Sequence, residues 1–304
     1  MSDSLAPRLT DVGEIPTVQR EVSGFMSGPV DNGVRSTRPF WQEWNLINAF
    51  SQRDLKAKFN GTALGWIWSL VVPMATLGIY TLVFGGLFQM EPPGIASRHE
   101  GIGIFAVWLF AGLTVWGFFQ NSINAGINGL LSSGGILQKV YFPAYAAVLG
   151  ADLAVGVQSL IEAGLLLAVL GVLTNVSWTW LLVPVFLLLL VVFTGAVAVI
   201  VSIWNIYIRD MAQLIGVFLQ LMFYATPIIY QSSLVPESFH GIPLRGLVEA
   251  MPLAEFITLF RSLTYDLTPG SLQAWGGCLA WAVVAVGGAL WVYRRWGSDL
   301  GERI

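Results

Sequence analysis

Two carboxylates, Asp152 and Glu162, stand in a stretch of sequence that is otherwise apolar enough to cross a membrane. An ionisable side chain at the centre of a membrane helix costs at least about 2.5 to 3.5 kcal/mol, so such residues usually have a function. A proton relay and an intramembrane transfer reaction are two chemistries open to them. A proton-coupled carrier would normally pair its acids with a cation, yet the six spans predicted below contain no Lys, Arg or His. The sequence therefore favours a role in helix packing or in wetting a pore.

The sequence lacks the short motifs that carry common enzyme chemistry. It contains no GxxxxGK[ST] phosphate loop, no HExxH zinc helix and no GxSxG nucleophile turn. The two histidines, His99 and His240, fall in predicted outer loops, and the one cysteine is Cys278. We therefore predict no metal site, no cofactor bound by this chain and no enzymatic activity of its own.

A third group of residues could bind a carbohydrate. Four aromatic side chains fall within about 80° of one another on a helical wheel, and they are Phe105, Trp108, Trp116 and Phe119. Amides follow them in the sequence: Gln120, Asn121, Asn124 and Asn128. Aromatic rings stack on the apolar C–H faces of sugars and amides hydrogen bond sugar hydroxyls, so this combination predicts a path for a glycan. Packing between helices and an aromatic belt at the membrane interface are the alternatives.

A membrane is needed to position these residues. Of the 304 residues, 55% are hydrophobic and only 11% are charged, whereas about a quarter of the residues in a soluble domain are charged. Long charge-free windows interrupt the sequence, and a helix needs roughly 20 apolar residues to cross the hydrocarbon core. This composition argues against a soluble enzyme and a disulfide-stapled secreted domain. The net charge of −3 argues against a nucleic-acid binder.

We predict an all-α membrane protein with six transmembrane helices, over about 65–88, 103–127, 144–173, 178–203, 212–231 and 272–293. Among the basic residues near the span ends, only Arg98 lies on the side opposite the N-terminus. Those on the side of the N-terminus are Lys56, Lys58, Lys139, Arg209, Arg294 and Arg295. By the positive-inside rule both termini are cytoplasmic, and the chain is a multi-pass protein of the plasma (inner) membrane.

Two segments precede the first span. Residues 1–38 are polar and rich in Ser, Pro and Gly, which predicts a disordered cytoplasmic tail. Residues 39–61 form a predicted amphipathic interface helix, and residues 62–304 form the predicted transmembrane domain. The apolar positions of the interface helix cover an arc of about 120°, and they are Phe40, Trp41, Trp44, Ile47, Leu55 and Phe59. This helix is either an anchor for the first span or a lever that touches a cytoplasmic motor.

The outer connection, 231–271, is the longest in the chain. Residues 244–265 have near-helical apolar spacing around Pro252, which predicts two short helices that dip into the outer leaflet. We expect them to form an outer gate that includes Glu249, Glu255 and Phe256. A surface cap is the alternative.

Four stretches of the sequence together resemble the membrane subunit of polysaccharide-exporting ABC transporters, the family that moves O-antigen, teichoic acid, capsule and cell-wall galactan. They are RDLK at 53–56 with TALGWIW at 62–68, LQKVYFP at 137–143, NIYIRD at 205–210 and FYATPIIY at 223–230. With the six spans they cover nearly all of the chain from residue 40 onward. An ABC permease for a drug or a small lipid is the alternative within the same class.

The resemblance implies a homodimer that encloses a channel for a lipid-linked glycan, with two copies of a separate ATPase subunit below it. ATP and Mg would bind that partner. A coupling helix at 130–141 would sit in the ATPase, and the contact residues would be Gln138, Lys139, Val140, Tyr141, Arg53 and Asp54. Arg53, Lys56 and Lys58 would attract the lipid pyrophosphate. Asn121, Tyr224 and Tyr230 would line the channel together with the four aromatic residues.

Overall fold

The structure, a computed structural model, describes residues 40–59, 65–89, 105–137, 142–208, 210–238, 241, 243–297 and 300. The predicted tail, 1–38, lies outside these residues. Within them the regular structure is entirely helical. The helices are α1 (Phe40–Phe59), α2 (Trp68–Tyr80), α3 (Phe105–Ser132), α4 (Gly134–Leu137), α5 (Ala144–Val172), α6 (Val183–Tyr207), α7 (Met211–Ala225), α8 (Leu244–Glu249), α9 (Pro252–Thr264) and α10 (Leu272–Trp296). Shorter helical turns are Gly65–Ile67, Trp178–Leu182 and Ser232–Leu234, and a π-helical segment, Thr81–Leu87, continues α2.

Four helical segments are long and apolar enough to cross a membrane: Gly65–Leu87, Ala144–Val172, Trp178–Tyr207 and Leu272–Trp296. They correspond to the first, third, fourth and sixth predicted spans. The second predicted span lies in α3, which has 28 residues but also carries amides and tryptophans. The fifth is α7, whose 15 residues cover about 22 Å, less than the roughly 30 Å hydrocarbon core. In its described residues the chain has the all-helical architecture of a multi-pass membrane protein, and the count of six spans stays a prediction.

The short helix α7 ends because a proline follows it. Thr226 is extended, with φ −82° and ψ 138°, which is the conformation that the next residue, Pro227, favours. The Oη of Tyr230 then donates hydrogen bonds to the carbonyls of Ala225 at 2.9 Å and of Tyr224 at 3.2 Å. These carbonyls lie at the end of a helix, where partners within the helix are missing.

The centre of the bundle is formed by α3, α5 and α6, which pack against one another. Small residues allow α3 and α5 to approach closely. A Cβ on Gly129 would lie 3.1 Å from the Cβ of Ala151 and 3.4 Å from the carbonyl oxygen of Ala147. Close packing of this kind holds helices together in a membrane, because lipid supplies no hydrophobic driving force between them.

The helix α9, which lies in the predicted outer connection, belongs to the core of the bundle. Its fully buried side chains are Phe256, Ile257, Leu259, Phe260 and Leu263. Phe256 stacks on Phe193 with ring centroids 4.9 Å apart, and Phe260 stacks on Phe186 at 5.1 Å. The residues 244–265 therefore contain two short helices, and the second of them does not have the exposure of a surface cap.

The helix α1 has two apolar faces. Trp41 is 73% exposed and Trp44 is 44% exposed, so one face of the helix is uncovered, as the predicted interface helix requires. Phe50 lies on the other face and is buried against Phe142, with ring centroids 5.2 Å apart. This inner face crosses α5 at Gly150, where a Cβ would lie 2.8 Å from the carbonyl oxygen of Ile47.

Candidate functional site

The four aromatic residues predicted to line a glycan path are buried within the chain: Phe105, Trp108, Trp116 and Phe119. Trp116 packs edge-on against Phe223 of α7, with centroids 5.5 Å apart, and Phe119 stacks on Phe193 of α6 at 5.9 Å. Phe105 contacts Phe84 of the π-helical segment at 5.3 Å. In a single chain these rings join α3 to its neighbours, and their contact with a substrate stays a prediction.

The amides of α3 have the opposite placement. Asn121, Asn124 and Asn128 are exposed, and their spacing of three and four residues places them along one edge of the helix. Their mean direction on the wheel is about 150° from that of the four rings. The rings and the amides, which were predicted to form one path, therefore lie on two separate faces of α3. An exposed amide is costly against hydrocarbon, and this edge is therefore suited to water or to a polar ligand.

A second polar edge lies on α7. Gln213, Gln220 and Tyr224 are exposed, and their spacing of seven and four residues places them in one stripe. The sequence prediction included Tyr224 but missed both glutamines, although their spacing was visible. Because α7 packs on α3 through Phe223 and Trp116, the two stripes lie on adjacent helices. We call these two stripes the polar edges. They consist of Asn121, Asn124 and Asn128 on α3 and of Gln213, Gln220 and Tyr224 on α7.

The predicted outer-gate residues have three different environments. Glu249 is exposed at the end of α8, whereas Phe256 is fully buried in α9. The Glu255 carboxyl lies against Gly277 of α10, where an added Cβ would collide with it. Its Oε2 is buried and has no hydrogen-bond partner in the described part of the chain. Burial raises the pKa of the Glu255 carboxyl.

Arg261 of α9 was not among the site residues predicted from the sequence. Its side chain is only 6% exposed. Nε donates to the carbonyl of Trp108 at 3.2 Å, Nη1 to that of Pro227 at 3.0 Å and Nη2 to that of Ile228 at 2.6 Å. The guanidinium carbon also lies 3.4 Å from the centroid of the Trp108 ring. This single side chain therefore connects α3, α9 and the segment after α7.

At the predicted cytoplasmic side, α1 contacts the predicted coupling helix, 130–141. Arg53 and Asp54 are half-buried and form an ion pair at 2.9 Å. The Nη1 of Arg53 also donates to the Oγ of Ser133, at 3.4 Å, immediately before α4. The other predicted ATPase contacts, Gln138, Lys139, Val140 and Tyr141, lie outside the described residues.

The basic residues predicted to attract a pyrophosphate are spread along α1. Lys56 is exposed, and so is Lys58. The Nζ of Lys58 donates to the Oε1 of Gln158 on α5 at 3.5 Å. Gln158 in turn donates to the carboxylate of Glu162 at 3.3 Å and to the carbonyl of Ser69 at 3.2 Å. Glu162 therefore belongs to a polar network that joins α1, α2 and α5.

The carboxyl of Asp152 lies in the interior of the bundle, with 1% of the residue exposed. The Oγ1 of Thr194 on α6 donates to it at 3.0 Å. Among the residues that the structure describes, Asp152 forms no ion pair, and no cluster of His, Cys, Asp and Glu could hold a metal ion. The observed contact joins α5 to α6, and the role of Asp152 stays a prediction.

Comparison with known proteins finds relatives over most of the chain. The chain is 28% identical over 223 residues to an O-antigen export system permease protein, RfbA, of Klebsiella pneumoniae, and the match covers 72% of this chain and 80% of that protein. It is also 28% identical over 239 residues to an O-antigen export system permease protein, RfbA, of Myxococcus xanthus, covering 77% of this chain and 85% of that protein. The model of the ABC-2 type transporter family matches residues 45–265. The chain therefore belongs to the membrane-protein family of ABC-2 type transporters.

Proposed function

We propose that this protein is the transmembrane subunit of an ABC exporter that moves a lipid-linked polysaccharide across the plasma membrane. The observation that carries the proposal is the pair of polar edges on α3 and α7, which expose amides and a phenol on otherwise apolar helices. Such groups hydrogen bond hydroxyls, of which a polysaccharide has many. The name of the relatives in Klebsiella pneumoniae and Myxococcus xanthus, O-antigen export permease, supports the same class of substrate.

A homodimer would complete the path. The polar edges of one chain stay uncovered, and lipid cannot satisfy their hydrogen bonds. Two copies that place these edges towards each other would enclose a polar conduit through the membrane. A polymer is too long to fit an enclosed pocket, so it has to move through a continuous conduit. Repeated amides offer weak contacts of similar strength, which allow a chain to slide.

Force would come from two copies of an ABC ATPase subunit, which would bind ATP and Mg at the cytoplasmic side. With both termini in the cytoplasm, Gln138, Lys139, Val140 and Tyr141 would contact that subunit together with Arg53 and Asp54. The hydrogen bond from Arg53 to Ser133 supports this assignment, because it links α1 to the same segment. Arg53, Lys56 and Lys58 would attract the pyrophosphate of the lipid carrier.

The polar edges provide the test of this function. We expect Asn121→Leu combined with Asn124→Leu to lower polysaccharide at the cell surface several-fold and to leave finished polymer on its lipid carrier inside the cell. Gln273→Leu is the matched control, because it removes an exposed amide from α10, away from the polar edges. Normal export by the double variant, at equal protein level, would contradict the proposed conduit.

Co-purification tests the proposed motor. We expect a soluble ATPase with a Walker phosphate loop to purify with this chain, and its ATP hydrolysis to respond to a lipid-linked glycan. Glycan transport by the purified chain without any ATPase would be incompatible with the proposal.

A permease for a drug or a small lipid is the second candidate, and an apolar cavity favours it. Trp204, Tyr207, Ile208, Met211 and Trp296 line this cavity, which has a volume of about 400 Å³. Sites for drug-sized ligands have volumes of about 300 to 1,000 Å³. Met211→Trp would fill the cavity. If it changed drug resistance without altering surface polysaccharide, the second candidate would be preferred.

A further inference from the structure

The contacts of Arg261 differ from those of an ordinary ion pair. Within the described part of the chain, no carboxylate lies within 4 Å of its guanidinium. Its hydrogen bonds go to three backbone carbonyls instead, and two of these carbonyls belong to Pro227 and Ile228, directly after α7. The proline ends the helix, and the arginine donates hydrogen bonds to two carbonyls of the non-helical segment that follows.

The chain leaves room for this guanidinium at one glycine. A Cβ on Gly112 of α3 would overlap the Nη2 of Arg261, and it would lie 3.1 Å from the guanidinium carbon. By contrast, a Cβ on Gly117 of the same helix would have no atom within 4 Å. The two glycines therefore form a matched pair for substitution, because only Gly112 lies against the guanidinium.

The C-terminal end of α9, which carries Arg261 in its last turn, is fixed by further hydrogen bonds. The Nδ2 of Asn175 donates to the carbonyl of Tyr265 at 3.0 Å, and the Oγ1 of Thr179 donates to that of Leu263 at 2.8 Å. Both side chains come from the connection between α5 and α6 and are buried. Because its last carbonyls are bound in this way, α9 is held in place. Arg261 attaches two neighbours to it, namely α3 and the segment after α7 that contains Pro227 and Ile228.

We propose that Arg261 is a positioning residue that latches the outer end of the conduit shut at rest, and that the latch releases during ATP-driven transport. The inference rests on the proposed exporter function. While the latch is closed, the guanidinium covers a face of the Trp108 ring, so a sugar cannot stack on that face. The segment after α7 can move away from α3 only after the hydrogen bonds of Arg261 to Pro227 and Ile228 break.

Leakage through the resting transporter tests the latch. The complex with its ATPase would be reconstituted in vesicles that contain carboxyfluorescein, and dye release would be followed without ATP. We expect wild type and Gly117→Ala to retain the dye, and Arg261→Met and Gly112→Ala to release it several-fold faster. Arg261→Lys keeps the charge but not the planar fork, so its release should be intermediate. Full retention of dye by Arg261→Met and Gly112→Ala would overturn the latch.

A second measurement uses the wild-type complex and does not depend on whether a variant folds. Arginine modification by phenylglyoxal would be mapped by mass spectrometry, with the partly exposed Arg245 of the same outer region as the control. We expect Arg261 to be protected at rest and to react during ATP turnover, whereas a purely structural arginine would stay protected throughout. Reaction of Arg261 at the rate of Arg245 at rest, or protection that persists during turnover, would refute the proposal.

These measurements need no glycan, so the two proposals fail separately. A leak-tight Arg261→Met complex that exports polysaccharide removes the latch and leaves the exporter function. Conversely, the latch measurements could give the expected results while surface polysaccharide does not depend on this protein in cells. That outcome would refute the proposed substrate and leave the latch.

Discussion

The buried carboxyl of Asp152 tests whether the bundle uses acid chemistry or only hydrogen bonding. It accepts a hydrogen bond from Thr194 across the α5–α6 contact. We predict that Asp152→Asn, which keeps an acceptor oxygen, exports polysaccharide at close to the wild-type rate. Asp152→Leu removes this acceptor and leaves the Thr194 hydroxyl with the carbonyl of Val191 at 3.2 Å, so the loss is that of one hydrogen bond, about 0.5 to 1.5 kcal/mol. Surface polysaccharide and the melting temperature of the purified protein measure the two effects.

Two outcomes would contradict the hydrogen-bonding role of Asp152. Export that stops in Asp152→Asn while the protein stays folded would support a proton relay. So would wild-type export that collapses with an uncoupler but survives ATP depletion.

The half-buried carboxyl of Glu255 should make stability depend on pH. Burial raises its pKa, so the folded state favours the protonated form, and this contribution to stability is lost as pH rises through the raised pKa. Glu255→Gln is neutral at every pH. We predict that its melting temperature exceeds that of wild type by more at pH 8 than at pH 5. Glu249→Gln, at an exposed position of α8, is the control. An equal difference at both pH values would show that ionisation of Glu255 has no role.

At the scale of elements, α1 shows why a helical wheel is an incomplete guide. The wheel predicted one apolar stripe with Phe50 outside it, and the structure instead uses Phe50 for docking on α5. Trp41 and Trp44 of the predicted stripe point away from this contact. An amphipathic pattern gives the angles of side chains around one axis. It does not show which angle meets a neighbouring helix.

Docking of α1 on α5 should be sensitive to one glycine. In Gly150→Ala the new Cβ would lie 2.8 Å from the carbonyl oxygen of Ile47 and 3.1 Å from the backbone nitrogen of Ser51. Overpacking of this kind costs about 1 to 3 kcal/mol. If α1 is the lever to the ATPase, we predict that ATP hydrolysis continues in this variant while export falls. Thermal stability and the ratio of export to hydrolysis are the measurements.

Gly164→Ala provides the comparison on the same helix, since a Cβ there meets no atom within 4 Å. It should be neutral or slightly stabilising, because alanine favours the helix over glycine by roughly 1 kcal/mol. Unchanged stability and coupling in Gly150→Ala would mean that the α1 contact is dispensable.

At the scale of the whole molecule, the exposed surface of α7 suggests how two copies would meet in the proposed homodimer. Beside its polar edge runs a second exposed stripe, formed by Leu214, Phe218 and Leu221. On the wheel the two stripes are about 100° apart. A dimer can therefore turn the polar stripe of α7 towards a conduit and bury the apolar stripe at the seam.

Cross-linking of single cysteines tests this arrangement. We predict that Phe218→Cys forms a disulfide-linked dimer in membranes, and that Val283→Cys, on an exposed and apolar part of α10, does not. The native Cys278 is buried and should contribute little background. Equal cross-linking at both positions, or none at position 218, would place the seam elsewhere.

The sequence by itself determined the membrane class, the helical architecture and the membership of a transporter family. These properties depend on runs of apolar residues, on charge-free windows and on local motifs, which do not require knowledge of helix neighbours. Four predicted spans follow directly from such runs. The remaining two, in α3 and α7, are less apolar or shorter, and these helices carry the polar edges.

Only the tertiary structure decided which face of each helix is covered. It buried the rings of α3 and exposed its amides, and it brought α9 into the core. It also brought Arg261 to Trp108 of α3, across 153 positions of sequence. These outcomes follow from contacts between distant segments, where the cost of an unpaired polar group is set by the neighbour that packing supplies.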